Sequence, residues 1–353
     1  MKIRSLAFVT VAVTALLVQP IAISFAESST KAKSRMDKES EKSHNSNNHV
    51  YAPARSADSS NSSRGGVTST PPARVPDGIG AVTYQVGGTV ILKPHVYVIW
   101  YGNWNTRSCS AEDQGTSTAS ILMNLTKHIG DSAWNDINTT YYQIVNGKKQ
   151  FISSGIEYSG CVVDTGSLGL SLQVPPGLFT ADPSDSRPSV ADVVDAQLAS
   201  GKLKTDSSGV YLVLSATNVQ VDGFATNFCG FHDYYSLPTM DIKYALIGDP
   251  SLNMVPFGCA SQLTVSPNKN PAADAMASVL DHELIEPISD PLFDAWYDQA
   301  GFENADKCAF RYGTVTQAAD GSFSNMKIGD LLYLTQQNVA ANTNECVSSL
   351  SRR

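Results

Sequence analysis

Asp281-His282-Glu283-Leu284-Ile285-Glu286-Pro287-Ile288-Ser289-Asp290-Pro291 is the stretch around which the chain is read. It holds one of only six histidines and two of only nine glutamates, a clustering that random scatter would rarely give. The residues leading into it predict a helix over Pro271 to Ile285. Proline suits a first helical turn, and Ala272, Ala273, Ala275, Met276 and Ala277 are mostly strong helix formers. On that helix His282 and Glu286 stand four apart on one face, with Glu283 nearby. Two such donors can hold one cation, while a third carboxylate takes a proton from water. The structural alternative is a hydrogen-bonded core histidine, with Glu286 ending a helix that Pro287 interrupts.

The pattern resembles the zincin helix with a carboxylate in place of the second histidine. That likeness implies a Zn2+ site on His282 and Glu286, with Glu283 as general base of a zinc-dependent peptide or amide hydrolase. Three candidates for a further ligand follow in the chain. Asp290 is either a ligand or the cap of a helix beginning at Pro291, with Asp294 and Asp298 on its exposed face. Glu303 comes 21 residues after His282, a separation resembling the third glutamate ligand of gluzincin peptidases. Asp306 in the same loop is a ligand or orients one. From outside the helix, His232 could bind metal or steady a developing oxyanion. A carboxylate-rich shell also suits Ca2+ if His282 is not a ligand.

At the start of the chain, Lys2 and Arg4 precede an apolar run from Leu6 to Val18, closing with Ser24-Phe25-Ala26. The run is too short for an ordinary span and reads as a secretory signal peptide over 1–26. Residues 27–78 hold almost no aliphatic side chains and predict a disordered low-complexity leader. Nothing later is long and apolar enough to cross a bilayer, so the chain is expected to be secreted and extracellular. A net charge of −8 and the lack of a basic, aromatic-interleaved patch argue against a nucleic-acid partner. Asn61, Asn124 and Asn138 begin glycosylation sequons.

Residues 79–350 suffice for one large domain. Strands are expected at His95 to Tyr101, Val210 to Leu214, Tyr244 to Ile247 and Leu331 to Leu334. Helices are expected at Ser117 to Gly130 and Val190 to Leu198. Strands alternating with helices give an α/β or α+β class. All six cysteines fall in this part, and an even number in a secreted chain implies disulfides. The preferred pairing is sequential, Cys109–Cys161, Cys229–Cys259 and Cys308–Cys346. Each bridge closes a moderate loop, contributing on the order of 3–4 kcal/mol in the chain-entropy model.

Several blocks resemble the phosphate-induced protein / EXORDIUM family. They are Val98-Ile99-Trp100-Tyr101-Gly102-Asn103-Trp104, the run from Tyr211 to Phe224, Phe228-Cys229-Gly230-Phe231-His232 and Pro256-Phe257-Gly258-Cys259-Ala260. Further matches are Ser289 to Tyr297, Tyr333-Leu334 and Cys346. The resemblance implies an extracellular protein of matrix or cell wall, linked in plants with growth. It also supports the Cys229–Cys259 and Cys308–Cys346 pairs. Plant members carry apolar or amide residues where His282, Glu283 and Glu286 stand, and this chain is closer to microbial relatives that keep the pattern.

Other chemistries fit poorly. Asp164-Thr165-Gly166-Ser167 matches an aspartic-protease tetrad, yet no second copy exists to share a proton. Trp100 to Trp104 could stack on sugars, although aromatics at a strand end are more often core. Two readings remain. One is a zinc hydrolase of a peptide substrate; the other is a non-catalytic extracellular matrix or cell-wall protein, its metal structural. A zincin-like fold is a further expectation, carried by the helix alone.

Overall fold

The computed structural model describes residues 50–51, 80–175, 184–252 and 258–350. The expected signal peptide at 1–26 lies outside the described residues. So does the leader at 27–78, except Val50–Tyr51. The central sheet has six strands: β1 Val50–Tyr51, β2 His95–Tyr101, β3 Glu157–Asp164, β4 Gly209–Ser215, β5 Gly230–Ser236 and β6 Asp241–Gly248. Their spatial order is β1-β5-β6-β4-β2-β3. Strands β6, β4, β2 and β3 run parallel, and β5 turns antiparallel at the edge of that block.

Among the described residues three helices flank the sheet: α1 Thr118–His128, α2 Val190–Ala199 and α3 Pro271–Ser289. Side chains alternate across a strand, so the two faces feed separate cores. Val96, Val98 and Trp100 of β2 pack with α1 and α3, whereas Tyr97, Ile99 and Tyr101 pack with α2. Parallel strands covered on both faces are near-continuous in apolar residues, as in Val-Tyr-Val-Ile-Trp-Tyr of β2. The class is therefore mixed α/β.

The helices begin where their caps stand. Ser117 caps α1 through Ser120 N–H, and Ser189 forms a capping box with Asp192 on α2. Asn270 caps α3, with Pro271 at its first position. The three disulfides are Cys109–Cys161, Cys229–Cys259 and Cys308–Cys346, the sequential set. Among the described residues no helix is long and apolar enough to cross a membrane.

Local readings are settled here. Asp164 anchors a turn, accepting from Gly166 N, Ser167 N, Ser167 Oγ and Gln197 Nε2 at 2.6–3.0 Å. Burial opposes its charge, but those donors outweigh it and hold its carboxyl below the usual range. Trp100 is fully buried and Trp104 Nε1 donates to Leu214 O, which makes both scaffold rather than a sugar platform. Asn124 and Asn138 are buried as well, so neither sequon is open to glycosylation in the folded chain.

Candidate functional site

Helix α3 is buried on every side from Ala272 to Ser289. A helix in that position is usually apolar all round. This one carries Asp281, His282, Glu283 and Glu286 into the interior, each with no measurable exposure. Burying charge without a partner costs several kcal/mol or more, so the partners have to be found. The helix does not stop at Ile285 or at Pro287 but runs on to Ser289.

Two other segments meet its charged face. Strand β5 brings His232, on the same side as Gly230. A Cβ at Gly230 would stand 2.6 Å from Val279 Cγ1 and 3.0 Å from Glu283 Cγ, so glycine is what lets strand and helix close together. The second segment is the loop with Glu303 and Asp306. Asp298 holds its start through Ala300 N and Phe302 N, and Cys308–Cys346 ties its end.

The carboxylates are oriented one oxygen at a time. Asp306 N–H donates to Glu286 Oε1 at 3.0 Å, and Glu303 N–H donates to Asp306 Oδ2 at 3.0 Å. The other oxygens then face the imidazoles. His282 Nε2 lies 3.1 Å from Glu286 Oε2 and 3.5 Å from Asp306 Oδ1. His232 Nε2 lies 3.1 Å from Glu303 Oε2, and its Nδ1 lies 3.1 Å from Glu283 Oε2 and 3.4 Å from Glu286 Oε2. Two sets of three ligand atoms result, His282–Glu286–Asp306 and His232–Glu286–Glu303, with Glu286 in both.

Gln336 decides the state of His282. Its Nε2 donates to Ala305 O at 2.9 Å, which leaves Oε1 facing His282 Nδ1 at 3.3 Å. An amide oxygen only accepts, so Nδ1 must carry the proton. In the neutral ring, Nε2 then offers its lone pair toward Glu286 and Asp306. Metal-binding histidines are held in this way, donating their other N–H to a fixed acceptor. Nothing in the sequence around Gln336 signalled that role.

In the metal-free protein the His282 ring carries a second proton on Nε2, which a metal would have to displace. Burial alone would lower His232 and His282. Glu303 and Glu283 outweigh it for the first ring, and Glu286 and Asp306 for the second, so both lie well above the usual histidine range. Glu286 is pushed up to about 8 by burial and by Asp306. Glu286 and the two imidazoles thus hold protons in the absence of another cation.

Of the expected site residues, His232, His282, Glu283, Glu286 and Glu303 come together, and Asp306 joins them. Asp290 stands in neither of the two ligand sets. Neither does it cap a helix at Pro291, because a turn follows there. Its Oδ1 accepts from Asp294 N and Ala295 N at 2.8 and 2.7 Å. That turn places Phe293, at φ 56°, with its ring 5.2 Å from that of His232. A left-handed phenylalanine is strained, and the two Asp290 bonds help to offset it. Asp298, expected on an exposed helix face, is buried and paired with Lys307 Nζ at 2.8 Å.

The conserved region of phosphate-induced protein 1 matches residues 184–330, which include α2, β5, α3 and the Glu303 loop. Protein EXORDIUM-like 3 of Arabidopsis thaliana is 27% identical over 268 residues, covering 70% of this chain and 73% of that protein. Protein EXORDIUM-like 5 of the same plant is 26% identical over 261 residues, covering 65% of this chain and 64% of its own length. The chain thus resembles the phosphate-induced protein / EXORDIUM family, whose conserved region it shares over residues 184–330. No solved structure matches it. The family's matched region ends before Gln336, so the acceptor that fixes His282 lies outside it.

Proposed function

We propose that this EXORDIUM-like chain is a secreted protein that binds one Zn2+ on His282, Glu286 and Asp306 and hydrolyses peptide or amide bonds. The observation that carries the reading is His282, locked by Gln336 with Nε2 toward two carboxylate oxygens at 3.1 and 3.5 Å. Bonds of about 2.0–2.1 Å in a tetrahedron put neighbouring ligand atoms about 3.3 Å apart. Calcium takes about six to eight oxygens, more than this nitrogen-containing set supplies. The apolar run at 6–18 and the three disulfides support export to an oxidising compartment.

Zinc held there would polarise a carbonyl and make a water easier to deprotonate. Glu283 takes the proton from that water as its oxygen adds to the carbonyl carbon. The same carboxyl then gives the proton to the departing amine as the C–N bond breaks. His232, held above its usual range, faces Glu283 through Nδ1 and Glu303 through Nε2 and so fixes the base beside the site. Incubating the purified full chain with a peptide library and zinc tests this. Cleavage that chelator stops and Glu283→Gln abolishes is expected; equal behaviour of the variant and the wild type contradicts the assignment.

A second reading has its own support. His282, Glu283, Glu286 and Glu303 have no measurable exposure, as befits a closed structural metal site in a non-catalytic matrix or cell-wall protein. Glu283→Gln separates the two, since a structural site tolerates it.

A further inference from the structure

The burial of the cluster raises the question of what lies across its approach. One edge of β5 is taken by β6; the other is taken by the chain's own leader. Val50 pairs with Phe231 and Tyr51 with Gly230, immediately before His232. Gly230 is also where β5 comes against Val279 and Glu283 of α3, and β1 itself lies alongside that helix. Val50–Tyr51 therefore lies where the strand carrying His232 meets the helix carrying Glu283.

The local sequence is suited to this and to little else. Val50-Tyr51 is a β-branched and aromatic pair within a segment poor in both types. From Tyr51 to Gly80 there are 80 − 51 − 1 = 28 intervening residues, ample tether for a segment docked in cis. An edge strand offers its outward N–H and C=O groups to any extended chain, and main-chain bonds of that kind take a polypeptide irrespective of much of its sequence.

We infer that the outer edge of β5, beside His232 and Glu283, is an acceptor site for an extended polypeptide, and that the leader around Val50–Tyr51 fills it in cis and keeps the site closed. The inference rests on the metal-hydrolase reading of that site. It names the substrate class as polypeptide in extended form and makes the leader an inhibitory segment. Docking in cis enjoys an effective concentration in the millimolar range, so a short ladder suffices. Cutting or displacing the leader leaves the edge to another chain.

The test uses the full chain with Val50→Pro and Tyr51→Pro together, so that whichever N–H bonds β5 is removed. Backbone amide exchange at 230–232 is read first. It is expected to speed up about tenfold or more, and a synthetic peptide of residues 45–56 added in trans should restore protection. Unchanged exchange, or exchange that the peptide does not slow, overturns the docking. Loss of zinc to a chelator is read second and should also be about tenfold faster in the variant. Faster exchange with unchanged zinc release overturns closure. A wild type that takes up no zinc fails the metal reading instead, and the exchange result still reports separately on docking.

Discussion

Replacing Gln336 by leucine removes one acceptor and leaves every proposed ligand in place. Gln336 is fully buried, so water cannot take over its role. His282 Nδ1 loses the oxygen it faces at 3.3 Å, and the ring is free to move its proton to Nε2, where the metal would sit. Loss of such an outer partner lowers metal affinity by roughly 10–100-fold, about 1.4–2.7 kcal/mol at about 1.36 kcal/mol per factor of ten. Ala305 O also loses its 2.9 Å donor, which costs the metal-free fold about 1–3 kcal/mol. Zinc affinity is measured by competition with a chromogenic chelator, with the unfolding midpoint recorded alongside. Gln336→Glu retains an acceptor for Nδ1 and should bind zinc more tightly than Gln336→Leu. A folded Gln336→Leu whose Kd lies within about threefold of wild type would refute the argument that this amide fixes the ligand nitrogen.

Two further outcomes are expected. Below about pH 8 Glu286 holds a proton, through burial and the nearby Asp306, which a metal must displace. Zinc affinity should therefore fall by about tenfold per unit as pH drops from 8 to 6 for this proton alone, and a flat profile of Kd against pH would count against Glu286 as a ligand. Gly230→Ala forces a methyl to within 2.6 Å of Val279 Cγ1 and 3.0 Å of Glu283 Cγ. It should lower stability by about 1–3 kcal/mol and weaken hydrolysis by moving Glu283; unfolding and turnover measured together check this.

Helix α3 was legible because its signals agree. Pro271 begins it, alanines fill it, and His282 and Glu286 fall four apart. Strand β2 was equally plain, whereas the sequential disulfide set was only the preferred one of 15 connectivities open to six cysteines. The strand that completes the site was missed: Gly-Phe-His-Asp-Tyr-Tyr-Ser of β5 shows no clean apolar alternation, because its second face meets a buried polar cluster rather than an apolar core. The end of α3 was misjudged for a different reason. Proline near the last turn removes only one donor, and packing on all sides carries the helix past Pro287. The turn after Ser289 claims Asp290 Oδ1, which spacing alone did not show. Gln336 lies 54 residues from His282, and a contact at that range leaves no local pattern. Val50–Tyr51 is a pair too short to register as a strand until the edge it meets is known.

Metal content tests the central claim most directly. Full-length protein, purified without chelator and equilibrated with micromolar zinc, should carry one zinc per chain by elemental analysis. His282→Ala should lose it, because the variant deletes the nitrogen donor at the centre of the cluster. Glu283→Gln should keep it, because that carboxylate faces His232 and serves water rather than the ion. Wild-type protein that holds no divalent metal under those conditions, or a His282→Ala variant that holds as much as the wild type, would contradict the account.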